Sequence, residues 1–291
     1  MSILSERAML SHVRVSAWSA RRIDRKVTDE VNESHGAAND AGRFNKLLVD
    51  KAALSGITAA VSKARTFHYS RTLPWQDDGA RLLPAAAFVD YMAQMRAIRG
   101  QFDKAVSEFI SGYSKHVEDA RSRLGNMFRP EDYPSADDIR SRFSFDTIIN
   151  PVPAGDDFRV SLGDAQAELI RAEIEARAEA QLGEAMRDVY GRVAEVCGRM
   201  AEKLRQYQPG NDNRKAEGVF RDSLVENVRE LAGILPALNI TADPRLSAIA
   251  DRMRKELVRH DADALRDDEA LRNEVADAAA AILADVSDFL A

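Results

Sequence analysis

The chain has a single cysteine among 291 residues, Cys197, so no intrachain disulfide can form. No stretch approaches the roughly 20 uninterrupted apolar residues that a membrane-spanning helix needs. The opening residues, MSILSERAMLSHVRVSAW, carry early charges and lack an apolar core before a small-residue cleavage site, unlike a secretory leader. Together these absences set an expectation of cytoplasmic residence. Neither GxxxxGK[ST] nor GxGxxG occurs, so no phosphate-cradling turn is encoded. The five histidines, His12, His35, His68, His116 and His260, are scattered and none forms HExxH, so no zinc site is expected. No serine sits in a G-x-S-x-G context. Cys197 lies beside an apolar stripe and reads as a small core residue rather than a reactive thiol. No residue set specifies a reaction, and the expectation is a non-enzymatic protein with no cofactor and no bound metal.

What the chain does have is helical periodicity. Hydrophobic residues at 45% and charged residues at 30% suit a folded globular chain rather than a disordered one. From Pro84 to Leu124, Phe88, Tyr91, Met95, Ile98, Phe102, Val106, Phe109 and Tyr113 recur at three and four, as one face of a helix does. That run predicts a helix of roughly 60 Å. From Asp164 to Gln208, Leu182, Met186, Val189, Val193, Val196, Met200, Leu204 and Tyr207 predict a longer one with a near-heptad seam. The two are expected to pair as an antiparallel hairpin. Three further helices are predicted at Val219–Leu235, stopped by Pro236, at Pro244–Val258 with Asp243 as N-cap, and at Asp267–Leu290. Alternation marks strands at His12–Trp18, Ser141–Asn150 and Phe158–Leu162. The expected fold is mainly α, a long antiparallel hairpin or coiled-coil-like bundle with a small antiparallel β element, read either as two regions, residues 1–162 and 163–291, or as one continuous domain.

Charge divides along the chain. Residues 1–130 carry 20 Lys and Arg against 14 Asp and Glu, whereas residues 131–291 carry 21 against 33. A basic half and an acidic half point to an anionic partner for the first, or to docking of the two on each other. The basic half holds two clusters. RRIDRK places Arg21, Arg22, Arg25 and Lys26 beside Trp18, which reads either as a packing anchor or as a stacking platform. The segment KARTFHYSRTLPWQDDGAR interleaves Lys63, Arg65, Arg71 and Arg81 with Phe67, Tyr69 and Trp75. Pro74 and Gly79 make this second segment read as a junction between helices. Guanidinium groups among aromatic faces suit a phosphate backbone and unstacked bases. They equally suit a buried junction. Four Asp-Asp pairs, at 77–78, 137–138, 156–157 and 267–268, read as helix caps and turns rather than metal ligands.

The combination of WSARRIDRKVTDEVN, ARTFHYSRTLPWQDDGARLLPAA, FRPEDYPSADDIRSRFSF and FRDSLVENVRELAGILPALNIT resembles an uncharacterised family of tailed phages and mobile elements. Similar proteins are encoded near MoxR-type, cobaltochelatase-like AAA ATPases and near phage DNA-metabolism genes. The resemblance implies a part in a larger assembly and supplies no catalytic residues. Two expectations follow. The first is single-stranded nucleic-acid binding through the eleven cationic and aromatic residues of the two clusters. The second is a homo-oligomeric scaffold or an adaptor for such an ATPase, using the long helices.

Overall fold

The computed structural model describes residues 3–76, 79–155, 164–210 and 214–290. The chain is mostly helical with a small antiparallel sheet. No described helix is long and apolar enough to cross a membrane. The expected strand at Phe158–Leu162 lies outside the described residues, as do the Asp pairs at 77–78 and 156–157.

Two compact units are present, and both are discontinuous in sequence. The first comprises Met1–His12, Arg71–Val89 and Ile149–Ala291; the second comprises Val13–Ser70 and Asp90–Ile148. The expected boundary at 162/163 is therefore not where the chain divides. Nor does charge divide as the linear halves do. The first unit carries 22 Lys and Arg against 31 Asp and Glu, the second 19 against 16.

The first unit contains α1 (Ile3–Arg7) and the amino-terminal part of β1 (Ala8–Ser16). It also contains β4 (Leu73–Pro74) and β5 (Arg81–Pro84). The four-stranded sheet has the order β4-β5-β1-β6, where β6 is Ser144–Pro151, of which residues 149–151 fall in this unit. β1 and β5 are antiparallel, with Ala8 opposite Pro84 and Leu10 opposite Leu82. α7 (Asp164–Gln206) is the longest helix, and α8 (Ser223–Leu238), α9 (Pro244–Arg252), α10 (Ala262–Asp267) and α11 (Glu269–Ser287) follow it. The near-heptad seam of α7 packs chiefly on α11 rather than on the expected Pro84–Leu124 run. Tyr190 stacks on Phe289 at 4.4 Å, and Arg205 reaches Asp277 at 2.9 Å. One number rises as the other falls, so the two helices are antiparallel. Val189, Val193, Cys197, Met200 and Leu204 are buried along this seam. Burial also pushes the Cys197 thiol up to about 12, which leaves it protonated and inert.

Pro236 does not stop α8, which continues to Leu238. A proline lacks the N–H that would bond the carbonyl four residues back, and it crowds that carbonyl. The orphan here is Ala232 O, and the Arg254 guanidinium donates to it at 2.8 Å. A side chain from a π-helical turn, Met253–Leu257, thus supplies the donor that proline removed.

The second unit is built on α3 (Ser55–Arg71), α4 (Phe88–Ser111) and α5 (Tyr113–Leu124). The run read as one helix from Pro84 to Leu124 is two, divided at Gly112, where the backbone entropy of glycine disfavours a helix interior. Tyr91, Met95, Ile98, Phe102, Val106 and Phe109 form the buried stripe of α4. Trp18 is buried with its ring 6.0 Å from Phe109 and 6.2 Å from Tyr113, so it is a packing anchor. α6 (Ala136–Arg140) is capped by Ser135, whose oxygen accepts from Asp138 N. Asp268 caps α11 in the same way through Leu271 N. A two-stranded ribbon, β2 (Arg21–Ile23) with β3 (Asn45–Leu47), flanks α2 (Arg25–Ser34).

Candidate nucleic-acid interface

The cluster Arg21–Lys26 spans a strand and the start of a helix. Arg21 and Arg22 lie on β2, Asp24 is the N-cap of α2, and Arg25 and Lys26 open that helix. Asp24 Oδ1 accepts from Val27 N at 3.3 Å, and its other oxygen accepts from Lys46 Nζ at 2.8 Å. Lys46 Nζ also contacts Asp132 Oδ2 at 2.6 Å and donates to Met127 O at 2.9 Å. An ammonium has three protons, and three acceptors surround this one. Lys46, Asp24 and Asp132 are all buried. The hydrogen bond from Lys46, against the opposing effect of burial, holds the Asp24 carboxyl below its ordinary value of 3.8. Burial alone would lower Lys46, but the bonds to Asp132 and Asp24 outweigh it and raise the ammonium above 10.5. Arg22 Nε completes the network at 3.0 Å from Asp132 Oδ1.

This buried ion cluster is a scaffold. It pins β2, β3, the start of α2 and the Arg129–Tyr133 turn to one another. The result is a cleft of about 940 Å³ whose lining includes Arg21, Arg22, Arg25, Lys26 and Arg129. All five of these cations are exposed. Lys26 faces Glu30 at 3.8 Å and Arg129 faces Glu131 at 4.0 Å, both loose exposed pairs.

Arg21 also lines a second recess, of about 670 Å³, between the ribbon and α3. Lys51, Ser55, Thr58 and Ser62 line it too. Ser55, Thr58 and Ser62 recur at three and four along α3, and Arg65 and Tyr69 continue that exposed side. The Tyr69 side of the helix is open to solvent, the residue being 56% exposed. The opposite face of α3 buries Ile57, Ala60, Ala64 and His68. His68 Nδ1 lies 2.8 Å from the Tyr91 hydroxyl.

The second sequence cluster comes apart. α3 extends to Arg71, so the expected helix-free junction is helical for its first nine residues. Lys63 is exposed on α3, where its amine donates to Gln101 at 3.2 Å. Phe67 stacks on Tyr91 with ring centroids 5.7 Å apart and is half-buried, which makes it a packing residue. Arg71, Trp75 and Arg81 belong to the first unit. Trp75 is 6% exposed within that unit's core, and the stacking role read for it is corrected to packing. Arg71 pairs with Glu230 at 3.1 Å. Arg81 is folded back onto Thr72, donating to its hydroxyl at 2.8 Å and its carbonyl at 3.1 Å. These two arginines serve the first unit's own structure.

Sequence reading missed Lys51, Arg129, Lys46 and Asp132. Arg129 and Asp132 lay in a stretch read only as a proline-bearing connection, and nothing local marks them as partners of β2. Among the described residues, no group of three or more His, Cys, Asp or Glu side chains is placed to hold a metal ion. No protein-family model, curated protein or solved structure matches this chain.

Proposed function

We propose that the second unit binds the backbone of a single-stranded nucleic acid along the groove centred on Arg21. The observation that carries this reading is that Arg21 lines both concavities, making one cationic track of them. Arg22, Arg25, Lys26 and Arg129 supply charge on one side, Lys51 on the other. Arg65 and Tyr69 extend the track along α3, about 20 Å from Ser55 to Tyr69 at 1.5 Å per residue. Tyr69 offers a ring face on which a base can stack. The role is binding rather than catalysis. Lys46 Nζ, buried against Asp24, Asp132 and Met127, is held as the ammonium by the two carboxylates. It is therefore no candidate for a base or a nucleophile.

The test is fluorescence anisotropy with a labelled single-stranded oligonucleotide at stepped salt. The seven cations of the track predict a slope of log affinity against log salt of about −5, because each neutralised phosphate on a single strand releases about 0.7 counterion. Replacing Arg25 and Lys26 together by alanine is expected to reduce that slope by about 1.4. Absence of binding at low salt would end this reading.

A further inference from the structure

The recess between the ribbon and α3 is unlike the rest of the track. Its floor is aliphatic, formed by Ala20, Leu47, Val49 and Leu54, and its volume of about 670 Å³ falls in the range of small-molecule sites. Charge stands at Arg21 and Lys51. The α3 wall is hydroxylic, and two of its three hydroxyls are committed in one direction. Ser55 Oγ donates to Ala52 O at 2.7 Å and Thr58 Oγ1 donates to Leu54 O at 3.0 Å. A hydroxyl has one proton, so what these two oxygens offer a ligand is lone pairs. The recess therefore combines a flat apolar floor, an acceptor edge and two cations. Ala20, 1% exposed, holds φ at +50°, in the left-handed region, and its carbonyl accepts from Leu48 N at 2.7 Å. Such strained residues collect at ligand clamps.

Resting on the reading of the groove as a nucleic-acid track, the geometry points to this recess as a pocket for one unstacked nucleobase, with preference for bases bearing an exocyclic amino group. The aliphatic floor takes the ring. The Ser55 and Thr58 oxygens accept from the amino group of cytosine or adenine, which thymine lacks. Arg21 and Lys51 take the adjoining phosphates. A duplex base is stacked and paired and cannot enter without being extruded, so the pocket favours single strands. An amphipathic carboxylic acid would satisfy the floor and the cations but leave the acceptor edge unpaired.

Three labelled 12-mers with equal phosphate counts test this by anisotropy: deoxycytidine, thymidine and abasic deoxyribose phosphate. The deoxycytidine strand is expected to bind tightest. Thymidine should be about fivefold weaker for the lost hydrogen bonding, and the abasic strand about tenfold weaker again. Ala59 also lines the recess, and Ala59→Phe, which fills it, should bring the deoxycytidine and thymidine strands to one common, weaker affinity while leaving the salt slope unchanged. Ser55→Ala combined with Thr58→Val should abolish only the difference between deoxycytidine and thymidine. Circular dichroism melting checks that both variants fold. Equal affinity for all three strands would overturn the pocket and leave the cationic track standing. Failure of all three at low salt would overturn both. Calorimetric binding of laurate with no base preference would assign the recess to an amphipathic acid and also overturn the proposal.

Discussion

Lys46 is an ammonium enclosed by two carboxylates and a carbonyl, with a side chain 2% exposed. Lys46→Met leaves Asp24 buried without its cation and Asp132 with Arg22 alone, and removing one partner of a buried pair costs about 3–5 kcal/mol. Chemical denaturation is expected to show a loss of that size, with the ribbon's amides losing hydrogen-exchange protection. The same network sets a pH dependence. Asp24 titrates below 3.8 in the folded chain, so its contribution is complete above 3.8 and is lost as pH falls through the lower folded value. Lys46 has the opposite sign: its contribution holds below 10.5 and is lost only as pH rises through a still higher value. Between these limits stability from this cluster is flat. Asp24→Asn keeps a capping side chain but removes the charge. Its stability deficit relative to the parent, measured by thermal melting, should be constant near neutrality and shrink below about pH 4. Trp75 belongs to the same scale. Trp75→Ala is expected to cost about 3–5 kcal/mol as a core truncation and to leave the oligonucleotide salt slope unchanged.

Elements were legible in the sequence wherever periodicity was long. The stripes of α4 and α7 were readable from spacing alone, because a buried helical face repeats at three and four. Their ends were less so. Arg21–Ile23 forms a strand, β2, that spacing does not reveal, because its pairing partner Asn45–Leu47 lies more than twenty residues away and leaves no local mark. α3 was broken too early because Pro74 and Gly79 were given weight that properly begins after Arg71. α8 was broken too early at Pro236, since the donor for Ala232 O comes from Arg254 and not from the helix itself. Arg254→Ala should therefore cost about 1–3 kcal/mol, the penalty of a buried carbonyl left without a partner. Denaturant unfolding measures it. A value near zero would mean that the α8 carbonyl finds another donor.

At the scale of the molecule, net charge is a poor guide. The chain totals −6, yet the second unit by itself is +3 and the first −9. The linear halves, at +6 and −12, overstate the contrast because each unit draws on separate stretches of chain. Binding confined to the second unit makes a specific prediction for the whole protein. A single strand at a hundredfold its dissociation constant adds about 2.7 kcal/mol to the folded state, which raises the thermal midpoint by about 5–10 °C in low salt. The shift should disappear at high salt, where counterion release no longer favours the complex. A shift that survives high salt would place the binding energy outside the phosphate contacts.

The sequence by itself determined that the chain is mostly helical, that it holds no disulfide, and that its basic residues concentrate around Arg21–Lys26. Composition and short-range spacing carry that information, since helix faces and charge clusters are local properties. Only the tertiary structure decided which cations share a surface. Arg71 and Arg81 are held by Glu230 and Thr72, and Trp75 is packed in a core, while Arg129 and Lys51 join Arg21 from distant stretches of chain. The buried Asp24–Lys46–Asp132 cluster makes that selection, because its charges are stable in the interior only when partners from three parts of the chain converge.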